Sequence, residues 1–287
     1  MDINEIVVIS GKGGTGKTTL VSSMVPFFKD VVIADCDVDA PDLNILFGNK
    51  IREEENFVGL KRAVKNDDVC IDCGQCYEKC KFNAISEDIV FDPMKCEGCA
   101  VCEYVCPVDA IQMKDFVTGK VFVSDTKYGD MVHARLIPGE EASGKLVARV
   151  REKAKKIAKE KGKKNIIIDG SPGIACNVIS SVTGVKKVII VIEPTLSGLH
   201  DLEKVYQLVK RFRVSIYVVI NKCDISEIEL KNIEDYCERE NLEIILKIPF
   251  NKKLVEAITK KELPSLYASE VFKDIGFEKF LLSLTHS

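Results

Sequence analysis

The sequence predicts an α/β protein with a mostly parallel, doubly wound sheet, interrupted by a small α+β module rich in cysteine. Three observations support this fold class. Short apolar runs alternate with helical segments, as they do when helices join the strands of a parallel sheet. A glycine-rich turn follows the first apolar run, and between about residues 61 and 114 cysteines and acidic turns replace the long amphipathic segments. The predicted domains are therefore 1–60 together with 115–287, and an inserted module at 61–114.

Each element of the α/β part is predicted from its own residues. Residues 3–9 (INEIVVI) and 31–35 (VVIAD) are apolar enough to be buried parallel strands, and a helix is expected from about Lys17 to Phe28. After the module, residues 117–138 are expected to form a hairpin and loop. The later expected elements are a helix at 143–161, strands at 165–169, 187–192, 214–220 and 242–248, and helices at about 197–212 and 226–240.

The bulk composition narrows the classes of function. The chain has 287 residues, of which 46% are apolar, so it is long enough to bury a sizeable core. Its formal net charge is -3, and we expect no nucleic-acid partner because such proteins carry a basic domain. No apolar run approaches the roughly 20 residues that cross a bilayer, and the N-terminus MDINEIVVIS lacks the basic start of a signal peptide. We therefore expect a cytoplasmic protein whose twelve cysteines do not form disulfides.

The turn after the first strand matches a phosphate-binding loop. GKGGTGKTT at 11–19 fits the pattern GxxxxGK[ST], and it lies between a predicted strand and a predicted helix. Gly13, Gly14 and Gly16 allow backbone N–H groups to approach phosphate oxygens, and the helix N-terminus adds unpaired donors. Lys17 is predicted to reach the β- and γ-phosphates, and the Thr18 hydroxyl is predicted to ligate Mg²⁺.

A second lysine in this loop, Lys12, carries a family resemblance. KGGTGKTT at 12–19 matches the pattern KGG-x-GK-[ST]-T throughout, and it resembles the deviant-Walker ATPases of the MinD/ParA type, which include nitrogenase iron protein. The resemblance implies that Lys12 crosses a dimer interface to the phosphates of the partner's nucleotide. ATP would then be bound between two subunits, in a homodimer or in a heterodimer with a paralogue.

Acidic residues follow two of the predicted strands. In ADCDVDAPDL (34–43), the resemblance makes Asp37 the residue that orients the attacking water, so that Lys12, Lys17 and Asp37 form the predicted catalytic set. Asp35 and Asp39 are weaker candidates, either structural or linked to Mg²⁺. In NIIIDGSPG (165–173), Asp169 ends a buried strand at a position suited to hold Mg²⁺. Pro172 and Gly173 in the same segment resemble the second switch of the family.

A possible base-recognition motif, NKCD (221–224), follows a later strand. In GTPases an NKxD run reads guanine, whereas in the MinD-type family the matching asparagine lies beside adenine. The motif alone leaves the base open, and the deviant loop favours ATP. The predicted nucleotide-binding residues are Gly11, Lys12, Gly13, Gly14, Thr15, Gly16, Lys17, Thr18, Thr19, Asn221 and Asp224.

The cysteine module contains an internal repeat. VCIDCGQCYEKCKFNAI (69–85) matches KCEGCAVCEYVCPVDAI (95–111), and each copy carries CxxCxxCxxxC. This spacing is typical of 4Fe–4S ligation, while structural zinc more often uses separated cysteine pairs. In two-cluster ferredoxins the fourth cysteine of each run ligates the other cluster. The predicted ligand sets are therefore Cys70, Cys73, Cys76 and Cys106 for one cluster, and Cys96, Cys99, Cys102 and Cys80 for the other.

Four cysteines remain outside the repeat: Cys36, Cys176, Cys223 and Cys237. Cys176 follows Asp169 at the distance where nitrogenase iron protein carries a ligand for a cluster that bridges two subunits. No convincing second ligand is found in the sequence, and we expect Cys176 to be buried and inert. A bridging cluster stays the alternative.

The order of these motifs resembles the MinD-superfamily P-loop ATPases with an inserted bacterial-ferredoxin-like domain. The resemblance implies hydrolysis of ATP to ADP and phosphate, with magnesium and two 4Fe–4S clusters as cofactors. The leading prediction is a nucleotide-driven dimer switch that controls electron transfer to an unknown redox protein. The alternative is ATP-dependent assembly or delivery of an iron–sulfur cluster or metallocofactor. A third class, positioning through a membrane-binding tail, depends on residues 269–287, which we expect to pack against the sheet instead.

Overall fold

The structure is a computed structural model in which residues 3–48, 50–140 and 144–285 are described. The chain divides into two compact units. Unit one contains the described residues of 1–54, 121–135 and 142–287, and unit two contains those of 55–120 and 136–141. Among the described residues, no helix combines the length and the apolar character needed to cross a membrane.

The described residues form nine strands and twelve α-helices. The strands are β1 (Asn4–Ser10), β2 (Val31–Asp35), β3 (Lys50–Lys65), β4 (Ile111–Thr126), β5 (Gly129–Leu136), β6 (Asn165–Pro172), β7 (Lys187–Ile192), β8 (Ser215–Asn221) and β9 (Glu243–Ile248). The helices are α1 (Lys17–Met24), α2 (Leu43–Phe47), α3 (Gln75–Lys79), α4 (Val101–Tyr104), α5 (Gly144–Glu160), α6 (Cys176–Val182), α7 (Leu196–Val209), α8 (Glu227–Arg239), α9 (Lys252–Thr259), α10 (Pro264–Tyr267), α11 (Ser269–Asp274) and α12 (Phe277–Thr285). A 3-10 helix at Val25–Phe27 continues α1.

The strand order of the sheet is β3-β4-β5-β2-β6-β1-β7-β8-β9. From β5 to β9, neighbouring strands pair in parallel, which confirms the mostly parallel α/β fold. The chain goes from β1 to β2 on one side of β1, and it later continues through β7 on the other side. Ligands of open parallel sheets bind beyond the carboxyl ends of the strands, at the point where the strand order reverses in this way.

The main core of unit one lies between the sheet and the helices on one of its faces. Ile6 of β1 and Ile33 of β2 are fully buried, and they share one apolar cluster with Leu20 and Met24 of α1. Burying a side chain of this size contributes about 1.5–3 kcal/mol relative to leaving it in water. The sheet is therefore held rigidly where β1 passes into α1.

The C-terminal helices belong to the same core. Phe272, Phe277 and Leu284 are buried in the cluster that contains the β1 and α1 side chains, and the rings of Phe272 and Phe277 lie 4.7 Å apart between centroids. The ammonium group of Lys187 donates a hydrogen bond of 2.8 Å to the carbonyl of Leu284. The prediction that the tail packs against the sheet is confirmed for its described residues.

The prediction is incomplete for two parts of the sheet. Residues 117–138 form most of β4 and all of β5, which are neighbours in the sheet joined by residues 127–128, as the predicted hairpin requires. The parallel pairing of β5 with β2 is not part of the prediction. His133 and Arg135 interrupt the apolar pattern that reveals the other strands. The long strand β3 has no predicted counterpart, because it contains the charged run REEEN (52–56), which is exposed except at the half-buried Glu55 and does not alternate between polar and apolar residues.

Unit two repeats its backbone conformation along with its sequence. The helices α3 and α4 each begin after a residue with positive φ, at Gly74 (φ 76°) and Ala100 (φ 62°). Asn83 and Asp109, which also match in the sequence repeat, both have φ 52°. The two copies therefore fold locally in the same way. The identification of this unit as a ferredoxin domain stays a prediction.

A small core and a buried ion pair hold unit two together. Ile85, Ile89 and Ile111 form one apolar cluster with several of the cysteines. The guanidinium of Arg62 and the carboxylate of Glu140 lie 2.7 Å apart and are both nearly inaccessible to solvent. A pair of this kind is costly to break, because removing one partner leaves an uncompensated buried charge.

Candidate nucleotide site and cysteine clusters

The phosphate loop joins β1 to α1 and depends on glycine at Gly16. Gly14 and Gly16 have φ values of 79° and 96°, which a residue with a side chain rarely adopts. A Cβ at Gly16 would also lie 2.4 Å from Nδ2 of Asn221. Gly16 is the N-cap residue of α1, so the first N–H groups of this helix have no partner within the helix. The loop and the helix start together have the backbone arrangement that suits an anion.

Asn221, at the end of β8, supports this loop. Its side-chain amide donates a hydrogen bond of 2.9 Å to the carbonyl of Thr15. Asp224, from the same motif, accepts a hydrogen bond of 2.7 Å from the backbone N–H of Phe250. Asp224 is predicted as a nucleotide-binding residue, but its carboxylate is used to hold the turn before α9. The motif therefore positions both the phosphate loop and the wall of the neighbouring cavity.

The predicted magnesium ligands lie next to each other. The Thr18 hydroxyl donates a hydrogen bond of 2.7 Å to Oδ2 of Asp169 at the end of β6. The other oxygen, Oδ1, is buried and has no hydrogen-bond partner among the described residues. Burial raises the pKa of Asp169 to about 7, although the charge of Lys17 opposes this shift. A divalent cation would use the unpaired oxygen and favour the ionised carboxylate, so the residues fit Mg²⁺.

Asp35 fixes the acidic loop after β2. Its carboxylate accepts hydrogen bonds from the backbone N–H groups of Asp37 (3.2 Å) and Leu43 (3.3 Å). The side chain is completely buried, and burial raises the pKa of Asp35 well above its usual range, with a further contribution from Asp169. Of the two roles considered for Asp35, the structure supports the structural one.

Asp37 lies close to the lysine of the phosphate loop. Its Oδ2 is 3.7 Å from Nζ of Lys17, and its side chain is 13% exposed. Burial raises the pKa of Asp37, and the positive charge of Lys17 lowers it. The structure therefore brings together Lys17, Thr18, Asp37 and Asp169 at one edge of the sheet.

Lys12 turns away from this group toward the start of α7. Its ammonium donates hydrogen bonds to the hydroxyls of Ser197 (2.9 Å) and Thr195 (3.4 Å). The neighbouring Gly11 packs so closely that a Cβ would lie 2.4 Å from the Cβ of Asp201. In the single chain, Lys12 therefore contacts its own α7.

Two adjacent cavities flank the phosphate loop. One has a volume of about 270 Å³, and its walls include Asn221, Phe250 and Leu254. The other has a volume of about 620 Å³. Its lining includes Gly13, Lys17, Thr18, Asp37, Asp39, Asp42, Pro172 and Lys261. The two cavities share loop residues, so a nucleotide with its phosphates at the loop would have room on both sides.

In unit two the structure brings the cysteines together in two groups of four. One small cavity is lined by Cys70, Cys73, Cys76 and Cys106, and another by Cys80, Cys96, Cys99 and Cys102. In residues 3–48, 50–140 and 144–285, no three His, Cys, Asp or Glu side chains are arranged to hold a single metal ion. A 4Fe–4S cluster has a different requirement, because each of its four cysteines binds a different iron. Cluster binding stays a prediction.

The other cysteines lie in unit one, and one of them differs from the prediction. Cys36 and Cys237 are buried, whereas Cys176 is exposed. The expectation that Cys176 is buried is wrong, because α6 buries its opposite face through Val178 and Val182. The apolar run GIAC (173–176), which ends at the first residue of α6, gives no indication of this orientation.

Residues 6–264 match the family model described as the CobQ/CobB/MinD/ParA nucleotide binding domain. The chain belongs to this family. The uncharacterized protein MJ0578 of Methanocaldococcus jannaschii is 33% identical over 223 residues, which cover 77% of this chain and 78% of that protein. Pyruvate synthase subunit PorD of the same organism is 34% identical over 68 residues, which cover 22% of this chain and 79% of PorD.

The fold is that of MinD. The septum site-determining protein MinD of Pyrococcus horikoshii, solved with Mg-ADP, superposes with a TM-score of 0.59 at 17% identity, over 97% of this chain and 94% of that chain. This likeness establishes the α/β P-loop fold, and the family model establishes nucleotide binding as the property of the class. The chain is thus a P-loop protein of the MinD/ParA ATPase class.

Proposed function

We propose that this protein hydrolyses MgATP as a dimer and couples this reaction to electron transfer through two 4Fe–4S clusters held by unit two. One observation carries the proposal: a phosphate loop and a Thr18–Asp169 pair that fits Mg²⁺ occur in the same chain as two groups of four cysteines. Neither feature alone would suggest a redox protein driven by a nucleotide. The location of the protein in the cytoplasm and the redox protein with which it would interact stay predictions.

The roles proposed for the nucleotide site combine its geometry with the resemblance to the MinD/ParA family. Thr18 and Asp169 would hold Mg²⁺, which supplies charge neutralisation when bound. Lys17 would contact the β- and γ-phosphates, and Asp37 would orient the water that attacks the γ-phosphorus, giving ADP and phosphate. Lys12 would leave Ser197 and reach the nucleotide of a second subunit. This completion across an interface makes hydrolysis depend on dimer formation.

ATP is the proposed substrate rather than GTP. A carboxylate that reads guanine must accept hydrogen bonds from the ring N–H and the exocyclic amine. Oδ1 of Asp224 accepts a hydrogen bond from Phe250, which holds this carboxylate in the turn before α9, and the deviant phosphate loop favours ATP. The MinD of Pyrococcus horikoshii is described with Mg-ADP, which agrees with an adenine nucleotide.

The cysteines of unit two would hold the clusters. Thiolates are soft ligands suited to iron–sulfur chemistry, and a bound cluster supplies one-electron transfer. Burial raises the pKa of the Cys102 thiol to about 11, so loading requires loss of its proton. The backbone N–H of Ala110 donates to the sulfur of Cys106, and hydrogen bonds to sulfur help to set cluster potentials. A full set of four cysteines in one chain suits a cluster that is retained.

Cluster or metallocofactor delivery is the second candidate. It is favoured by the exposure of Cys73 and Cys99, which occupy matching positions in the two repeats. An exposed ligand would ease transfer of a cluster to an acceptor. Exposure of one edge would equally serve electron exchange, so the two functions must be separated by experiment.

The experiment starts from anaerobically reconstituted wild-type protein and the Lys12→Ala variant. We expect about eight irons in both proteins, since two 4Fe–4S clusters contain eight. Electron transfer from reduced protein to a viologen dye should be stimulated by MgATP in wild type only. ATP-dependent loss of iron to an apo-ferredoxin acceptor would favour delivery. An iron content near zero after reconstitution would refute both functions of unit two.

A further inference from the structure

An unusual lysine follows the helix that overhangs the nucleotide cavities. Lys261 lies just beyond α9 and has φ 58°. Its N–H donates to the carbonyl of Ile258, and the N–H of Glu262 donates to that of Ala257, which is the pattern of a helix that ends in a left-handed residue. Glycine is the usual residue there, because a Cβ adds strain. Strain at a residue with a side chain is a reason to ask what that side chain does.

Lys261 lines the cavity of about 620 Å³ beside the phosphate loop. It shares this cavity with Gly13, Lys17 and Thr18, which are expected to surround the phosphates. In the described part of the chain, its ammonium forms no hydrogen bond or ion pair. It is therefore available to a ligand.

The carboxylates that line this cavity outnumber its ammonium groups. Asp37, Asp39 and Asp42 contribute three carboxylates to its lining, whereas Lys17 contributes one ammonium. Lys12 lines neither cavity and instead contacts α7. A nucleoside triphosphate brings further negative charge into this space, and like charges at short distance repel each other.

We propose that Lys261 contacts the phosphates of the bound nucleoside triphosphate, as a second cation opposite Lys17. The proposal rests on the proposed function only in that the cavity takes a nucleotide. This contact would account for a residue with a side chain at the left-handed position after α9. Glycine at this position would relax the backbone and remove the charge.

The test measures binding of a fluorescent MgATP analogue to the full chain and to four variants. Lys261→Ala and Lys261→Gly both remove the cation, but only glycine relieves the left-handed strain. Lys261→Arg retains the charge. Lys260→Ala is the matched control, because Lys260 is the neighbouring cation, contacts Tyr267 and lines neither cavity. Thermal unfolding of each apo variant is recorded in parallel.

We expect Lys261→Ala and Lys261→Gly to weaken MgATP binding by about tenfold, as loss of one charge-assisted contact predicts. Lys261→Arg and Lys260→Ala should stay within about twofold of wild type. Lys261→Gly should unfold at the same temperature as wild type or higher, which separates lost binding from lost structure. Normal binding by Lys261→Gly would overturn the proposal. If wild type itself bound no MgATP, both this proposal and the proposed function would be wrong.

Discussion

Asp169 is the residue on which the magnesium assignment depends most directly. One of its oxygens accepts from Thr18, and the other is buried without a partner among the described residues. We expect Asp169→Asn to abolish the stabilisation by ATP that requires Mg²⁺, because the amide is neutral and a much weaker ligand for Mg²⁺ than the carboxylate. In wild type, ligand at about 100 times Kd stabilises the fold by about 2.7 kcal/mol.

Thermal unfolding with MgATP, and with ATP plus EDTA, measures this effect. Wild type should show a clear difference between the two conditions, and Asp169→Asn should show none. An equal magnesium-dependent shift in both proteins would mean that the ion lies elsewhere.

His133 gives a prediction on stability against pH. It stacks on Phe122 and shares a hydrogen bond of 3.0 Å with Ser124 inside unit one. Burial, assisted by the charge of Arg135, lowers the pKa of His133 from 6.5 to about 4. The unfolded chain therefore takes up a proton in this interval before the folded chain does. The contribution of the neutral, buried His133 to the free energy of unfolding is therefore fully present above pH 6.5 and is lost as the pH falls toward 4.

Between pH 8 and pH 5 this difference should cost wild type about 2 kcal/mol of unfolding free energy. His133→Gln cannot take up the proton, so its unfolding free energy should fall by about 2 kcal/mol less than that of wild type between pH 8 and pH 5. The exposed His200 provides the control, since His200→Gln should follow wild type. Urea unfolding at pH 8 and at pH 5 measures the unfolding free energy of each protein. An equal loss of unfolding free energy in His133→Gln and in wild type would contradict this prediction.

At the level of elements, the tail is expected to be part of the core and not a membrane anchor. Leu284 is completely buried, whereas Leu282 on the same helix is 53% exposed. Leu284→Ala should cost about 2–5 kcal/mol of unfolding free energy, and Leu282→Ala should cost less than about 0.5 kcal/mol. Guanidinium unfolding compares the two variants. A similar small cost for both would show that the tail is not packed.

The elements most visible in the sequence are those whose local pattern agrees with their environment. β7 is predicted at its observed bounds because KVIIVI is buried on both faces. β3 is missed, and β5 is predicted only as part of a hairpin, because charged residues and His133 obscure the period of these strands. Only pairing in the sheet defines their bounds. Tertiary context decides such strands, since strand preference depends on neighbours.

The candidate site shows the same division. The phosphate loop and both groups of cysteines follow from residue spacing alone. Asp35 holds the acidic loop through two backbone N–H groups. This role does not follow from residue spacing, because it depends on where the loop returns. Lys261 is separated from the loop by most of the chain, and no motif connects the two. Contacts between distant segments are the part that spacing cannot predict.

At the level of the whole molecule, the proposal requires a dimer that forms with ATP. Lys12→Ala should prevent a non-hydrolysable ATP analogue from producing a dimer, because the second subunit loses its contact with the phosphates. Light scattering after gel filtration measures the mass of each species. Lys210→Ala, which removes a cation just after the far end of α7, should still dimerise. If Lys12→Ala still formed a dimer with the ATP analogue to the same extent as wild type, Lys12 would not contact the nucleotide of the second subunit.

The central proposal is that nucleotide binding and the clusters are energetically coupled. The midpoint potentials of the two clusters, measured anaerobically without nucleotide, with MgADP and with a non-hydrolysable ATP analogue, test this most directly. A tenfold change in a one-electron equilibrium corresponds to about 59 mV, and we expect at least one cluster to shift by about this amount with the ATP analogue. Potentials that are the same in all three states would contradict the coupling.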